Sequence, residues 1–320
     1  MKKLLILLIL SCIISACRNG GNATEPSQTD AARQDSLALK VALMPTMDCL
    51  PFYYAERNGL FKELDLDVCL LTYNAQMDCD TAFMYRHADM AYTDLIRAAL
   101  LQSKGIGLQV LMQADGHHRL LTAKNKRIQQ ARHLKERMVA IARHSVTDLL
   151  LDTVIAQAGL DPSTVYHPQI NDIQLRYGML HNATIDAAFL PEPYATQARL
   201  EGCKDIYDSG KQHINLMAFM ASEESLTDKR KTEQIGLLLR AYNKAVHQIN
   251  QGKQTGSTRK ILLSYPVGPE TADSLAAYTF HKAENAKAGQ LATALHFLHA
   301  RKLITADYTG DTLINTQFIP

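Results

Sequence analysis

The sequence predicts a two-lobed α/β fold. Four short apolar runs alternate with three helical segments between Leu39 and Val110, which is the signature of a wound, largely parallel sheet. A polar interruption at Asp115 to His118 precedes a second such alternation, and an apolar run from Asn215 to Ala221 leads back towards the first. Each half then needs its own core, and the chain is long enough to supply two.

The ends of the chain come before the fold. Lys2 and Lys3 precede an apolar run from Leu4 to Ile14, too short for a comfortable membrane span, and small residues follow. The order is that of an export signal over residues 1–16. Ile14, Ser15, Ala16 and Cys17 resemble the bacterial lipobox, which implies cleavage before Cys17 and acylation of its thiol, a membrane tether. Residues 17–36 are rich in Gly, Asn, Ser, Gln and Thr, cannot bury enough apolar surface to order themselves, and read as a leash.

The first strand is Leu39 to Met44, closed by Pro45. Pro51 suits the first turn of the next helix, because its missing N–H costs nothing there, and Gly59 supplies the left-handed stop. The loop Thr46, Met47, Asp48, Cys49 then lies at the carboxyl edge of the sheet, where such folds bind ligands. Leu66 to Tyr73 is a second strand, with Asp78 as a cap for a short helix from Met77 to Arg86. Ala88 to Tyr92 is a third strand, and Thr93 and Asp94 open a helix that stops at Gly105. A fourth strand surrounds Val110.

Beyond the crossing, Leu120 to Ala123 is apolar and Lys124 to Arg137 is basic and loose or helical. Met138 to Ala142 is a strand. Ser145, Val146, Thr147 and Asp148 approximate a capping box for a helix that ends at Gly159. Val165 to Ile170 is extended, Ile173 to His181 helical, and Ile185 to Leu190 a strand running into Pro191, Glu192, Pro193, Tyr194. Thr227 to Asn250 is a long amphipathic helix with Ile235, Leu238, Leu239, Tyr242, Ala245, Val246 and Ile249 on one side. The remainder is helical to Arg301. The lobes are therefore 37–118 with 216–320, and 119–215.

Charge bounds the partners. Of 34 basic residues, Lys2 and Lys3 leave with the signal, so the basic and acidic residues of the mature chain balance at 32 each. Nucleic acid is not an expected partner. Of the six cysteines, Cys12 and Cys17 belong to the export segment, and Cys69 and Cys203 read as packing residues. Met47, Asp48, Cys49 and Met77, Asp78, Cys79 are near copies, each following a strand. If those strands are neighbours, a Cys49 to Cys79 disulfide is expected. The same two Met and two Cys also suit a soft metal ion, which keeps open a metal or metallophore-binding lipoprotein.

Four blocks, PFYYAERNGLF from Pro51, HADMAYTD from His87, HLKERMVAIARHSVTDLLLDTVIAQAGLD from His133 and TIDAAFLPEPYAT from Thr184, resemble the periplasmic substrate-binding proteins of ABC importers. They are similar to the branch that binds nitrate, alkyl sulfonates, taurine and thiamine-pyrimidine precursors. The resemblance implies a type II periplasmic-binding-protein fold with two crossing hinge strands. It implies capture of a small polar or anionic solute between the lobes, and delivery to an ABC permease and its ATPase by a monomer. It carries ligand roles onto Thr46, Asp48, Thr93, Asp94, Ser145, Thr147 and Glu192, with Asn171 and Arg176 as further polar candidates. The hydroxyls donate to an oxyanion or cap helices, and Glu192 or Asp94 accepts from an amine or ring N–H. Helices starting near Pro51, Asp78, Thr93 and Ser145 would turn backbone N–H groups towards an anionic group. The chain has no Trp, and Tyr53, Tyr92 or Tyr194 could take its place in an aromatic wall. No nucleophile elbow, P-loop, zincin or CxxC motif is present, and no enzyme and no cofactor are expected, a lyase-type reaction on the same fold being the lesser alternative.

Overall fold

The computed structural model describes residues 37–252 and 255–319. The export signal, the lipobox cysteine Cys17 and the leash lie outside these residues.

The first sheet has the order β2-β1-β3-β9-β4. β1 (Leu39–Leu43) pairs in parallel with β2 (Val68–Thr72) and β3 (Met90–Asp94). β9 (Met217–Ser222) lies antiparallel between β3 and β4 (Leu108–Gln113). The second sheet has the order β6-β7-β5-β8, built from β5 (His118–Thr122), β6 (Val139–Ala140), β7 (Ala187–Pro191) and β8 (Lys204–Asp208). Here β6 and β7 are parallel, and β5 runs against both β7 and β8. Each sheet is thus parallel but for one strand, and those two reversed strands, β5 and β9, are the ones that follow the crossings. The pattern agrees with the expected two-lobed fold.

Helix boundaries follow from local chemistry. α1 (Leu50–Arg57) carries Pro51 in its first turn, and Gly59 follows at φ +72°. α2 (Gln76–Met84) departs from expectation: Ala75 is its N-cap and makes no side-chain bond, while Asp78 sits inside the first turn, where an acid favours the helix dipole instead. α3 (Leu95–Ser103) is capped by Asp94 and α4 (Val146–Gln157) by Ser145, as predicted. α5 (Ile173–His181) and α6 (Tyr194–Leu200) flank β7. The C-terminal third adds α7 (Glu223–Thr227), α8 (Lys229–Asn250), α9 (Thr255–Leu262), α10 (Pro269–Leu275) and α11 (Ala288–Ala300). The predicted apolar stripe of α8 is buried along its whole length. It packs on α1, where Phe52 meets Tyr242 and Phe219, each at 5.0 Å between ring centroids. Tyr92 adds a further ring to this cluster, 5.4 Å from Phe219. Aromatic packing of this kind fixes the floor under the loop at Asp48.

The two crossings run side by side. Ala114 donates its N–H to the Met217 carbonyl at 2.8 Å, and Asn215 Nδ2 donates to the Ala114 carbonyl at 2.8 Å. Further along, the His118 N–H is received by Ser209 Oγ at 2.9 Å and the Ser209 N–H by the His118 carbonyl at 3.0 Å. β8 carries no clear strand signal in the sequence. Its residues, Lys-Asp-Ile-Tyr-Asp, are half-buried at a sheet edge, so charge and apolarity do not alternate cleanly there.

Candidate functional site

A cavity of about 260 Å³ opens between the sheets beside the crossings. Its wall includes Met47 and Asp48 from the loop before α1, Asp115, Gly116 and His117 from the first crossing, and Gly210 and Lys211 from the second. Arg119, Glu192, Asp208 and Tyr278 complete it. The volume is small for a ligand pocket, which fits a small solute.

Asp48 is its most unusual group. It is 3% exposed, and the Tyr92 hydroxyl donates a short hydrogen bond to its Oδ2. Burial pushes its carboxyl above the ordinary value, against the opposing pull of Thr46 and Tyr92, and the nearby Asp115 raises it further. None of these neighbours is cationic. The Thr46 hydroxyl, itself buried, lies close by but meets no partner at hydrogen-bonding geometry. The approach of the crossing to Asp48 is close: a Cβ on Gly116 would stand 2.3 Å from Met217 Cγ and 2.7 Å from Asp48 Oδ2.

The other acids of the wall are compensated. Arg119 reaches Glu192 at 3.6 Å, Asp205 at 2.6 Å and Asp208 at 3.0 Å. Glu192 Oε2 also accepts the Thr196 N–H at 2.9 Å in the first turn of α6. Asp115 accepts from the His281 N–H and faces His281 Nδ1 at 2.7 Å. Among the described residues, Asp48 is left with the Tyr92 hydroxyl as its side-chain hydrogen-bond donor and no ion pair. Glu192 and Asp48 are held in one wall by the Met47 N–H, which donates to the Glu192 carbonyl at 3.0 Å.

The remaining sequence candidates form a second group away from this cavity. Thr93 Oγ1 donates to Asp80 Oδ1 at 3.0 Å, and Asp80 is paired with Arg97. Burial first, and then Asp94, raise the Asp80 carboxyl to about 6, although Arg97 and Thr93 hold it down. Asp94 Oδ1 accepts the Arg97 N–H at 2.9 Å, and its Oδ2 accepts from Gln76 Nε2 at 2.8 Å and from the Val146 N–H at 3.1 Å. Ser145 Oγ donates to the Ala142 carbonyl at 2.7 Å and accepts the Thr147 N–H at 3.2 Å, while Thr147 Oγ1 accepts the Ala142 N–H at 2.9 Å. These hydroxyls act as caps and turn braces, the second of the two roles the sequence leaves open. Asn171 bonds Gln169 at 3.2 Å and touches Met77 Sδ at 3.5 Å, outside the cavity. Arg176 is buried and spans the Ile170 and Phe189 carbonyls at 2.7 to 2.9 Å, a brace between α5 and β7.

The expected Cys49 to Cys79 disulfide is corrected: both are free, fully buried thiols. The thiols lie near each other, but Cys79 Sγ donates to the Leu43 carbonyl at 3.7 Å, which turns it to the end of β1 rather than to its near copy. Burial raises both thiols well above their ordinary value, so neither is a reactive thiolate. Met47 is in the core and Met77 is 39% exposed, and among the described residues no group of three or more His, Cys, Asp or Glu is placed to hold an ion.

Of the aromatic candidates, Tyr92 serves the cavity through its hydroxyl, Tyr53 bonds Thr72 Oγ1 at 3.0 Å and Tyr194 is buried beside α5. The ring in the wall is Tyr278, for which the sequence carried no signal. Asp115, Gly116 and His117 did carry one, as the polar interruption that marks the crossing.

The comparisons accord with this architecture. The alkanesulfonate-binding protein SsuA of Xanthomonas axonopodis pv. citri superposes with a TM-score of 0.72 at 14% identity, over 84% of this chain and 94% of that one. The periplasmic nitrate-binding protein NrtA of Synechocystis PCC 6803 gives 0.72 at 14%, over 85% and 83%. A ligand-binding component of an ABC-type import system from Staphylococcus aureus gives 0.74 at 14%, over 88% and 97%. No curated protein matches the sequence. The family model described as NMT1/THI5 like matches residues 46–251, from the loop that carries Asp48 to the end of α8, so the chain belongs to the NMT1/THI5-like family.

Proposed function

We propose that the protein is a solute-binding component of an ABC importer, which captures a small polar solute in the cavity between its lobes and hands it to a permease driven by an ATPase. The solute presents a protonated amine or a ring N–H to Asp48. The observation that carries this reading is the buried Asp48 carboxylate in the cavity wall, with the Tyr92 hydroxyl as its hydrogen-bond donor. A buried carboxylate without a counter-charge is costly, and a ligand that brings one removes that cost on binding. The neighbouring acids Glu192 and Asp208 are shared with Arg119, so the cavity as a whole favours a cation or a donor over an anion. Tyr278 offers a face against which a flat ring can lie.

Membership in the NMT1/THI5-like family and the fold shared with import proteins support the transport role. The role is one of binding without chemistry. In the same reading Cys17 carries the lipid that tethers the protein to the membrane, and the folded part faces the periplasm as a monomer.

Thermal shift against aminopyrimidines, taurine, simple alkyl sulfonates and nitrate tests it, since a ligand that binds only the folded state raises Tm. Stabilisation by the N–H-bearing compounds is expected. Stabilisation by nitrate and simple alkyl sulfonates alone would sink the donor reading. A flat response to every solute, with stabilisation by Cu(I) or zinc, would sink the transport role.

A further inference from the structure

His117 puts a buried nitrogen in the cavity wall. It lies on the first crossing and lines the cavity together with Asp48, and its Nδ1 meets no hydrogen-bond partner among the described residues. The ring is confined: a Cβ on Gly210, from the second crossing, would stand 3.3 Å from both Cγ and Nδ1 of His117. The same point lies 3.2 Å from Asp208 Oδ1, so a carboxylate is at hand, yet the ring makes no hydrogen bond to it. Asp208 is engaged elsewhere, with Oδ1 accepting the Gly210 N–H at 2.9 Å and Oδ2 paired with Arg119 at 3.0 Å. A neutral imidazole presents one N–H and one bare, accepting nitrogen. An Nδ1 that bore the proton would have Asp208 to give it to. A bare Nδ1 needs a donor instead, and Arg119 is committed to Glu192, Asp205 and Asp208. Left unpaired and buried, such a nitrogen carries the cost of its lost hydration.

We infer that His117 is a specificity-determining residue: its Nδ1 accepts a second N–H of the solute, beside the one that Asp48 takes, so the cavity selects an amidinium or guanidinium group over a simple amine. This rests on the reading of Asp48 as the acceptor of a solute N–H, and adds to it the second contact and the chemical class. The two acceptors border one small space, because Gly116, the residue before His117, brings the crossing against Asp48 Oδ2. One carboxylate and one neutral acceptor match a monocation that spreads its charge over two N–H-bearing nitrogens. A single ammonium concentrates its donors at one atom and satisfies Asp48 alone.

Calorimetric titration of the intact chain with benzamidine and with benzylamine tests this, since the two are monocations of similar size and differ in the second nitrogen. The wild type should bind benzamidine tighter than benzylamine by about ten-fold or more. His117→Leu should lose that preference and keep its affinity for benzylamine, while His117→Asn, whose amide oxygen can stand where Nδ1 does, should retain most of it. No preference in the wild type, or an undiminished one in His117→Leu, would overturn the inference. Should His117→Leu fail to fold, long-range proton–nitrogen NMR of the wild-type imidazoles decides the point. Nδ1 of His117 should be bare without ligand and shift on adding benzamidine, and a proton on Nδ1, or a resonance that benzamidine leaves in place, would overturn it. Asp48→Asn separates the two readings. If both compounds bind the wild type alike and Asp48→Asn abolishes both, the His117 contact alone is overturned. If Asp48→Asn leaves both affinities unchanged, the reading of Asp48 falls and this inference with it.

Discussion

The Tyr92 hydroxyl donates to Asp48 from beneath, and the Tyr92 ring is locked against Phe219 in the core of the first lobe. A strand residue thus aims a polar group at a cavity acid that has no ion-pair partner among the described residues. Asp48 is held rigidly, and a rotamer search is removed from the cost of binding.

Asp48→Asn keeps the shape and removes the charge. Burial raises the Asp48 carboxyl, so its ionised form is penalised in the folded state. The stability this group contributes is full below the unfolded carboxylate range and is lost as pH rises through its folded pKa. Asp48→Asn should therefore unfold at higher urea than the wild type at pH 8, with the difference shrinking towards pH 4. Over the same substitution, affinity for an amine-bearing solute should fall by about 2–5 kcal/mol, read by calorimetry. A variant that binds undiminished would remove Asp48 from the site.

How much of this was legible in the sequence differs between scaffold and site. The alternation of strands and helices, Pro51 and Gly59 around α1, Asp94 and Ser145 as caps, and the stripe of α8 are local signals, and each has its counterpart in the structure. Asp48 and Glu192 were legible as loop acids after strands. Their difference was not, because it depends on Arg119, which β5 brings to Glu192, Asp205 and Asp208. Nor was the second hydrogen bond of Asp94. Asp94 Oδ2 accepts the Val146 N–H across a sequence separation of 52, and a residue that caps its own helix gives no sequence hint that its second oxygen serves another. The disulfide failed for a related reason: the likeness of the two MetAspCys elements speaks for their neighbourhood, whereas bonding depends on which way each thiol turns.

Gly116 is expected to admit no side chain. Its absent Cβ leaves room for Met217 Cβ at 2.7 Å as well as Cγ, and Met217 Cβ is fixed to β9 rather than free to swing away. Gly116→Ala should therefore displace the crossing and destabilise by about 1–3 kcal/mol, as overpacking does. Urea unfolding measures the loss, and a ligand titration should show affinity falling with it because Asp48 Oδ2 stands in the same space.

The buried ion pair of Asp80 and Arg97 predicts a second titration. With its folded value near 6, the Asp80 carboxyl should protonate about there, well above an ordinary carboxylate, and carbon-detected NMR of the Asp side chains should resolve one such group. By the same sign as for Asp48, this raised group contributes stability at low pH that is lost as pH rises through about 6. Arg97→Ala removes the cation that holds the carboxyl down. It should push the Asp80 titration higher still and destabilise by about 3–5 kcal/mol, the cost of leaving a buried charge without its partner.

Thiol chemistry separates a buried pair from a bonded one. In the structure Cys49, Cys69, Cys79 and Cys203 are all free, with Cys49 and Cys79 fully buried and raised well above their ordinary value. A thiol reagent at pH 8 should leave both unmodified in the native state, since reactivity follows the exposed thiolate. In denaturant without reductant all four should react. Recovery of only two would mean that Cys49 and Cys79 are bonded in the protein as exported, where an oxidising compartment permits it. In that case Cys79→Ser, which breaks such a bond, should lower stability by about 2–4 kcal/mol, whereas for the free thiol it costs little beyond the weak hydrogen bond to Leu43.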